Sequence, residues 1–185
     1  MIVIAQTSST IMPVIAPTNQ VFDQSCIVFA RNDFGTLAIL SSSLHSAWVM
    51  RYTTPMRNDI RYLPAHTFAT FPRPRVSPNL ETLGQQLNTM RSELMQSRAW
   101  GLTKTYRQVH NPDIHERAIE ELRDIHVAID EAVTQAYGWD DLDLKIGHHP
   151  TKIGVRWTVS KEARFELLDR LLEENHQRYK LENPS

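Results

Sequence analysis

The chain has 185 residues, 41% of them hydrophobic and 22% charged, enough for one ordinary domain or two small lobes with a core of their own. A formal net charge of -1 gives by itself no reason to expect nucleic-acid binding, and a single cysteine, Cys26, excludes an internal disulfide framework and fits a reduced, cytoplasmic protein. No run approaches the ~18 apolar residues of a membrane span, and Met1–Gln6, though apolar, is too short and lacks the basic flank of a signal peptide.

The first third reads as strands: residues 2–5, then 10–16 with Pro13 forcing an edge or a bulge, then 21–30 after the turn-like Pro17-Thr18-Asn19-Gln20. A strand at the very start lacks a lead-in, which suggests partner strands that once preceded it. Leu37, Leu40, Leu44, Ala47, Trp48 and Arg51 recur at helical spacing and predict one helix over about 33–52. Residues 53–78 carry five prolines and read as a stiff surface connector with a short strand around Tyr62–Thr70.

Ser77-Pro78 is a cap followed by a first-turn proline, and Leu80, Leu83, Leu87, Met90 and Leu94 make the stripe of the helix that follows. A short helix over 102–110 comes next. Another is expected from Asp113, with Glu116 as its capping-box partner, ending at Gly138. Residues 139–158 read as a linker with a short strand at Val155–Thr158. A last helix over about 160–181, capped by Ser160, should turn Phe165, Leu168, Leu171, Leu172 and Tyr179 inward. The fold class expected is α+β: a small N-terminal β lobe with one packed helix (1–76), then a mainly helical lobe (77–185).

Most catalytic signatures are missing. No two of the six glycines are one residue apart, so the sequence holds no Gly-x-Gly loop for a dinucleotide or S-adenosylmethionine and no P-loop. It has no Asp/Asn-Pro-Pro-Tyr/Phe tetrapeptide, Gly-x-Ser-x-Gly, His-Glu-x-x-His or Cys-x-x-Cys. Asp140, Asp141, Asp143 and Lys145 are the residue types of a magnesium nuclease, but their spacing reads better as a solvated turn. His148-His149 lacks the partners of a metal site, and His126 and Asp130 are expected to pair one helical turn apart. Neither a catalytic residue nor a metal ligand is assigned.

The charge, in contrast, is unevenly spread. Residues 1–78 hold six arginines, no lysine and three acids, a net +3; the remaining 14 basic and 18 acidic residues give −4. Arg51, Arg57, Arg61, Arg73 and Arg75 fall on one helix end and the proline-rich connector, where they could hold phosphates while an arginine or Asp59 reads a base edge. Lys104 and Arg107 are further phosphate candidates on the short helix. Asp59 and Arg61 could equally tie the connector down by ion pairing, and Tyr62 and Phe71 are better read as its core anchors than as base-stacking groups.

An ordered set of segments also carries a resemblance. The run from Asp33-Phe34-Gly35 to Trp48 is one, followed by Asp59-Ile60-Arg61-Tyr62 and Thr70-Phe71-Pro72-Arg73-Pro74. Arg91-Ser92-Glu93-Leu94-Met95, Gly101-Leu102-Thr103-Lys104-Thr105-Tyr106, Val109-His110-Asn111-Pro112 and Leu122-Arg123 through Gly138-Trp139 complete it. Together they resemble the C-terminal part of type IIG/IIL restriction–modification adenine-specific DNA methyltransferases, MmeI-like enzymes among them. The resemblance covers about residues 1–140 and the final helix, and implies the end of a target-recognition domain followed by a helical portion. It implies double-stranded DNA as partner. It also implies adenine-N6 methylation by a catalytic part whose motifs this sequence lacks; S-adenosylmethionine would belong to that part, and no cofactor to this chain. A separately encoded methyltransferase subunit is then one expected partner, with no membrane involved. An inactive truncated remnant and a helical protein-interaction module are the competing readings.

Overall fold

The computed structural model describes residues 1–53 and 59–183. The fold is α+β. β1 (Ile2–Ala5) is the centre of a three-stranded antiparallel sheet, flanked by β3 (Val14–Ile15) and β4 (Cys26–Phe29). Ile2 faces Ile15 on one side and Phe29 on the other. Ile2, Val3 and Ile4 are all buried, which is why they read as an unbroken apolar run rather than an alternating one. The 10–16 run is a strand only at its end, and its Pro13 carbonyl accepts a bond from the buried Arg91 guanidinium at 2.9 Å. A two-residue strand that sequence did not separate, β2 (Thr7–Ser8), pairs with β5 (Ile60–Arg61).

The predicted single helix over 33–52 is two: α1 (Phe34–Ser41) and α2 (Ser43–Tyr52). Ser42 breaks them apart with an extended backbone (φ −70°, ψ 155°). Its hydroxyl accepts from His45 N–H at 3.2 Å and donates to the Ile39 carbonyl at 2.7 Å, so one side chain ends α1 and caps α2. The expected strand at Tyr62–Thr70 is instead a series of turns, with Thr67 and Phe71 N–H groups bonded to carbonyls four residues back. Pro64 and the hydroxyls of Thr67 and Thr70, which bond Leu63 and His66 carbonyls, favour that tight winding over a ladder.

α3 (Pro78–Arg98) starts as expected, with Ser77 Oγ accepting from Leu80 N–H. α4 spans Leu102–Val109. α5 runs Arg117–Ala136, four residues later than the expected Asp113 start. Glu116 is its N-cap residue but makes no capping-box bond; its carboxylate pairs with Arg98 of α3. α5 ends before Gly138, whose φ of +76° fits the glycine expected there. The linker read at 139–158 contains a full hairpin, β6 (Gly147–Thr151) and β7 (Gly154–Thr158). α6 (Lys161–Glu182) is capped by Ser160 as expected, but its inward face is shifted. Ala163, Leu167 and Leu171 are buried, whereas Phe165, Leu172 and Tyr179 are exposed.

Two apolar clusters share α1 and α2. Leu37, Leu40 and Val49 pack with Ile2, Ile4, Phe29 and Tyr62 under the sheet. Ala38, Ile39, Leu44 and Trp48 point the other way, into a larger cluster with Leu80, Leu87, Ile129, Val133, Leu167 and Leu171. Burying a Leu or Ile contributes roughly 1.5–3 kcal/mol, so the two helices are held firmly from both sides. The helical elements also supply carboxylates to the N-termini of both. Glu81 of α3 accepts from Phe34 and Gly35 N–H (3.0 and 2.6 Å), and Asp130 of α5 accepts from Ser43 N–H (2.6 Å).

Candidate nucleic-acid interface

The connector after α2 returns to the fold through β5. Thr53 Oγ1 donates to the Arg61 carbonyl, and Tyr62 N–H donates to the Gln6 carbonyl at 2.7 Å. Ile60 is buried, and its neighbours Asp59 and Arg61 are exposed. This is the period-2 alternation of a strand, and it turns Arg61 to solvent opposite Thr7. Arg51, in the last turn of α2, is exposed with its guanidinium 5.7 Å from the Tyr52 ring. Arg57 lies outside the described residues. No ion pair joins Asp59 and Arg61 to one another or to another side chain among the described residues.

What anchors β5 is aromatic and buried. The Tyr62 side chain is 1% exposed, and its hydroxyl sits 3.1 Å from His45 Nε2. His45 Nδ1 lies 2.8 Å from the Leu40 carbonyl, which requires the proton on Nδ1 and makes Tyr62 the donor to Nε2. Burial holds His45 down to about 4, so it is neutral, and pushes the Tyr62 phenol up to about 12. Phe71 is buried against His45 and Trp48. Tyr62 and Phe71 are core anchors, not base-stacking groups.

The structure does not unite all the arginines. Arg73 is half-buried: its guanidinium donates to the Phe68 carbonyl at 2.7 Å and lies 4.1 Å from the Phe68 ring. Burial and the neighbouring Arg31 lower its pKa. Its own carbonyl accepts from Arg178 of α6. Arg73 therefore fixes the 64–74 turns, while Arg75, two residues on, is exposed. Lys104 and Arg107 are exposed on α4, Lys104 with its ammonium 5.1 Å from the Trp100 ring. Asp59, Thr7, Ser8 and Thr103 line one hollow, so the β2–β5 edge and the start of α4 share a surface.

Residues that sequence reading passed over sit beside that surface. Arg156 of β7 reaches the Ser9 carbonyl (3.4 Å), and His110 Nδ1 accepts from Trp157 N–H (3.2 Å). His110 and Arg123 lie in segments that carry the resemblance but were given no role, and for Arg156 the only signal was the alternation of Val155-Arg156-Trp157-Thr158, which marks a strand. Arg123, 1% exposed, donates to the carbonyls of Gln108, Val109, Asn111 and Ile114, pinning the turn that carries His110.

The expected His126–Asp130 pair does not form. His126 Nε2 instead bonds Tyr106 Oη at 3.0 Å, and Asp130 caps α2; packing drew each toward a different element. Burial raises Asp130 to about 7 and lowers His126 to about 4. Asp141 makes a two-pronged contact with Arg170 (2.8 and 2.7 Å), and Asp143 accepts from Lys145 N–H. Among the described residues no group of three or more metal-ligating side chains converges, and no helix is long and apolar enough to cross a membrane.

Residues 1–75 match the family model of the MmeI target recognition domain. A solved structure of the type IIL restriction–modification enzyme MmeI, in complex with DNA, matches 95% of this chain with a TM-score of 0.59 at 17% identity. The match takes in 21% of that enzyme's chain, so this chain corresponds to about a fifth of it. No curated protein matches. The resemblance read from the sequence is thus borne out by both comparisons, and the likeness of fold extends beyond residue 75 into the helical elements.

Proposed function

We propose that this chain, whose first 75 residues match the MmeI target recognition domain, is the DNA-recognition end of a site-specific methyltransferase of a restriction–modification system. The observation that carries the reading is the solvent face of the β2–β5 edge. Arg61 stands out from it beside Asp59, Arg51 lies one connector away, and a buried Tyr62–His45 pair holds the strand rigid beneath. Arginines fixed at the base of a connector suit backbone phosphates, and an adjacent carboxylate suits the cytosine amino group. Residues 54–58, with Arg57, belong to the same connector, and Arg75 is an outlying phosphate candidate.

Under this reading the chain positions DNA and performs no methyl transfer. The adenine-N6 chemistry and S-adenosylmethionine would be supplied by a methyltransferase part outside this sequence, on the same or a separate polypeptide. The test is equilibrium binding to duplex DNA across a salt series. Each phosphate contact adds about 0.9 to the slope of log K against log salt. Arg51→Ala/Arg61→Ala should therefore flatten the slope by up to about 2. Asp59→Ala should leave the slope unchanged while altering preference among sequences. An unchanged slope in the double variant would remove the β2–β5 edge from the interface.

A further inference from the structure

A polar slot opens between α4, the turn after it, and β7, next to the hollow at the β2–β5 edge, with which it shares Ser9 and Thr103. Its volume is about 420 Å³, within the range of small-ligand clefts. Thr103 and Arg107, one turn apart on α4, line one wall; His110 and Asn111 form the end, and Arg156 with Ser9 the other wall. No carboxylate lines it.

Two residues of this lining carry a buried donor without an acceptor; both also border the neighbouring hollow that holds Asp130, where Trp157 Nε1 is a third such donor. His110 Nδ1 is used as an acceptor by Trp157 N–H, so the ring proton sits on Nε2, and Nε2 has no partner. Arg156 Nε is also buried and unpartnered, although its other two nitrogens bond the Val155 and Ser9 carbonyls. Arg156 and Arg107 form no ion pair among the described residues. A buried donor left unpaired costs about 1–3 kcal/mol, and native folds keep few of them. Two guanidinium groups and an imidazole N–H without a carboxylate call for an oxyanion with several acceptor atoms.

We propose that this slot binds a phosphate group, with Arg156 and Arg107 supplying charge and His110 Nε2–H a directed hydrogen bond. The inference goes beyond the reading of the β2–β5 edge and uses different residues. The phosphate could be a nucleic-acid backbone phosphate or that of a free small molecule.

The test is a titration of the full chain, labelled at histidine nitrogen, with inorganic phosphate. The His110 Nε2 resonance should shift saturably, with a Kd on the order of 1 mM or tighter. Arg107→Ala, an exposed substitution, should weaken that binding several-fold. Arg156→Gln should abolish it while the buried His45 and His126 resonances report an intact fold. A His110 signal that does not move, or that moves equally in both variants, overturns the proposal. A short duplex that displaces inorganic phosphate identifies the backbone as the source; a duplex that does not compete identifies a free phosphate compound. Arg51→Ala/Arg61→Ala must leave the phosphate response intact, so failure of the DNA reading and failure of the slot are separately visible.

Discussion

Ser42 closes one helix and opens the next with a single hydroxyl. Its replacement by alanine removes the acceptor of the buried His45 N–H, while the Ile39 carbonyl keeps the Ser42 N–H at 3.3 Å. Ser42→Ala should cost about 1–2 kcal/mol, measurable by urea denaturation; a change near zero would mean that the α1–α2 break holds without the hydroxyl. Gly84 is the other residue on which the geometry turns. A Cβ built there would lie 1.9 Å from the Phe34 carbonyl oxygen, so α1 and α3 touch backbone to backbone. Gly84→Ala must push α1 away and pull Phe34 and Gly35 N–H off the Glu81 carboxylate. We expect a loss of at least about 2 kcal/mol, and full stability in this variant would show that the two helices do not meet this closely.

At the scale of elements, the helices whose boundaries are written in caps were legible and the faces they bury were less so. Ser77-Pro78, Ser160 and Gly138 each mark a helix end where expected, because capping is local chemistry. The break at Ser42 was hidden by an apolar stripe that continues across it: Leu37, Leu40 and Leu44 keep their spacing while the backbone does not. In α6 the sequence offers apolar residues at 165, 167, 168, 171, 172 and 179, too many for one face. The fold chose Leu167 and Leu171 and left Phe165 and Tyr179 outside. Leu167→Ala should therefore cost about 2–5 kcal/mol, whereas Phe165→Glu should stay within about 0.5 kcal/mol; equal costs would contradict this orientation. The candidate interface was legible in its charge but not its assembly. Arg61 and Asp59 are exposed at β5 and in no ion pair among the described residues, while Arg73 turned inward to the Phe68 carbonyl, a contact no spacing rule foretells. Arg156 and His110 meet only because the hairpin folds back on the end of α4.

At the scale of the whole molecule, four buried groups are shifted far from their ordinary values, and their effects on stability oppose. His45, His110 and His126 are held at about 4, 3 and 4 by burial, against about 6.5 in the unfolded chain. Each contributes stability that is present above pH 6.5 and lost as pH falls toward 4, because the unfolded chain takes up a proton the native fold refuses. Asp130 runs the other way. Burial lifts it to about 7 from 3.8, so the native fold holds a proton that the unfolded chain has released, and its ionisation erodes stability as pH rises from 4 to 7. Between pH 4 and 6.5 the native state thus binds about three fewer protons at histidine and about one more at Asp130. A net of about two protons corresponds to a slope of up to about 3 kcal/mol per pH unit, with stability rising as pH rises. Denaturant unfolding at stepped pH values measures that slope directly. Asp130→Asn keeps an oxygen for the Ser43 N–H but has no proton to hold, so its slope should steepen toward three protons. A variant slope equal to that of the wild type would mean that Asp130 is already ionised where it caps α2, and that the clamp between α5 and α2 is charged at every pH at which the protein folds.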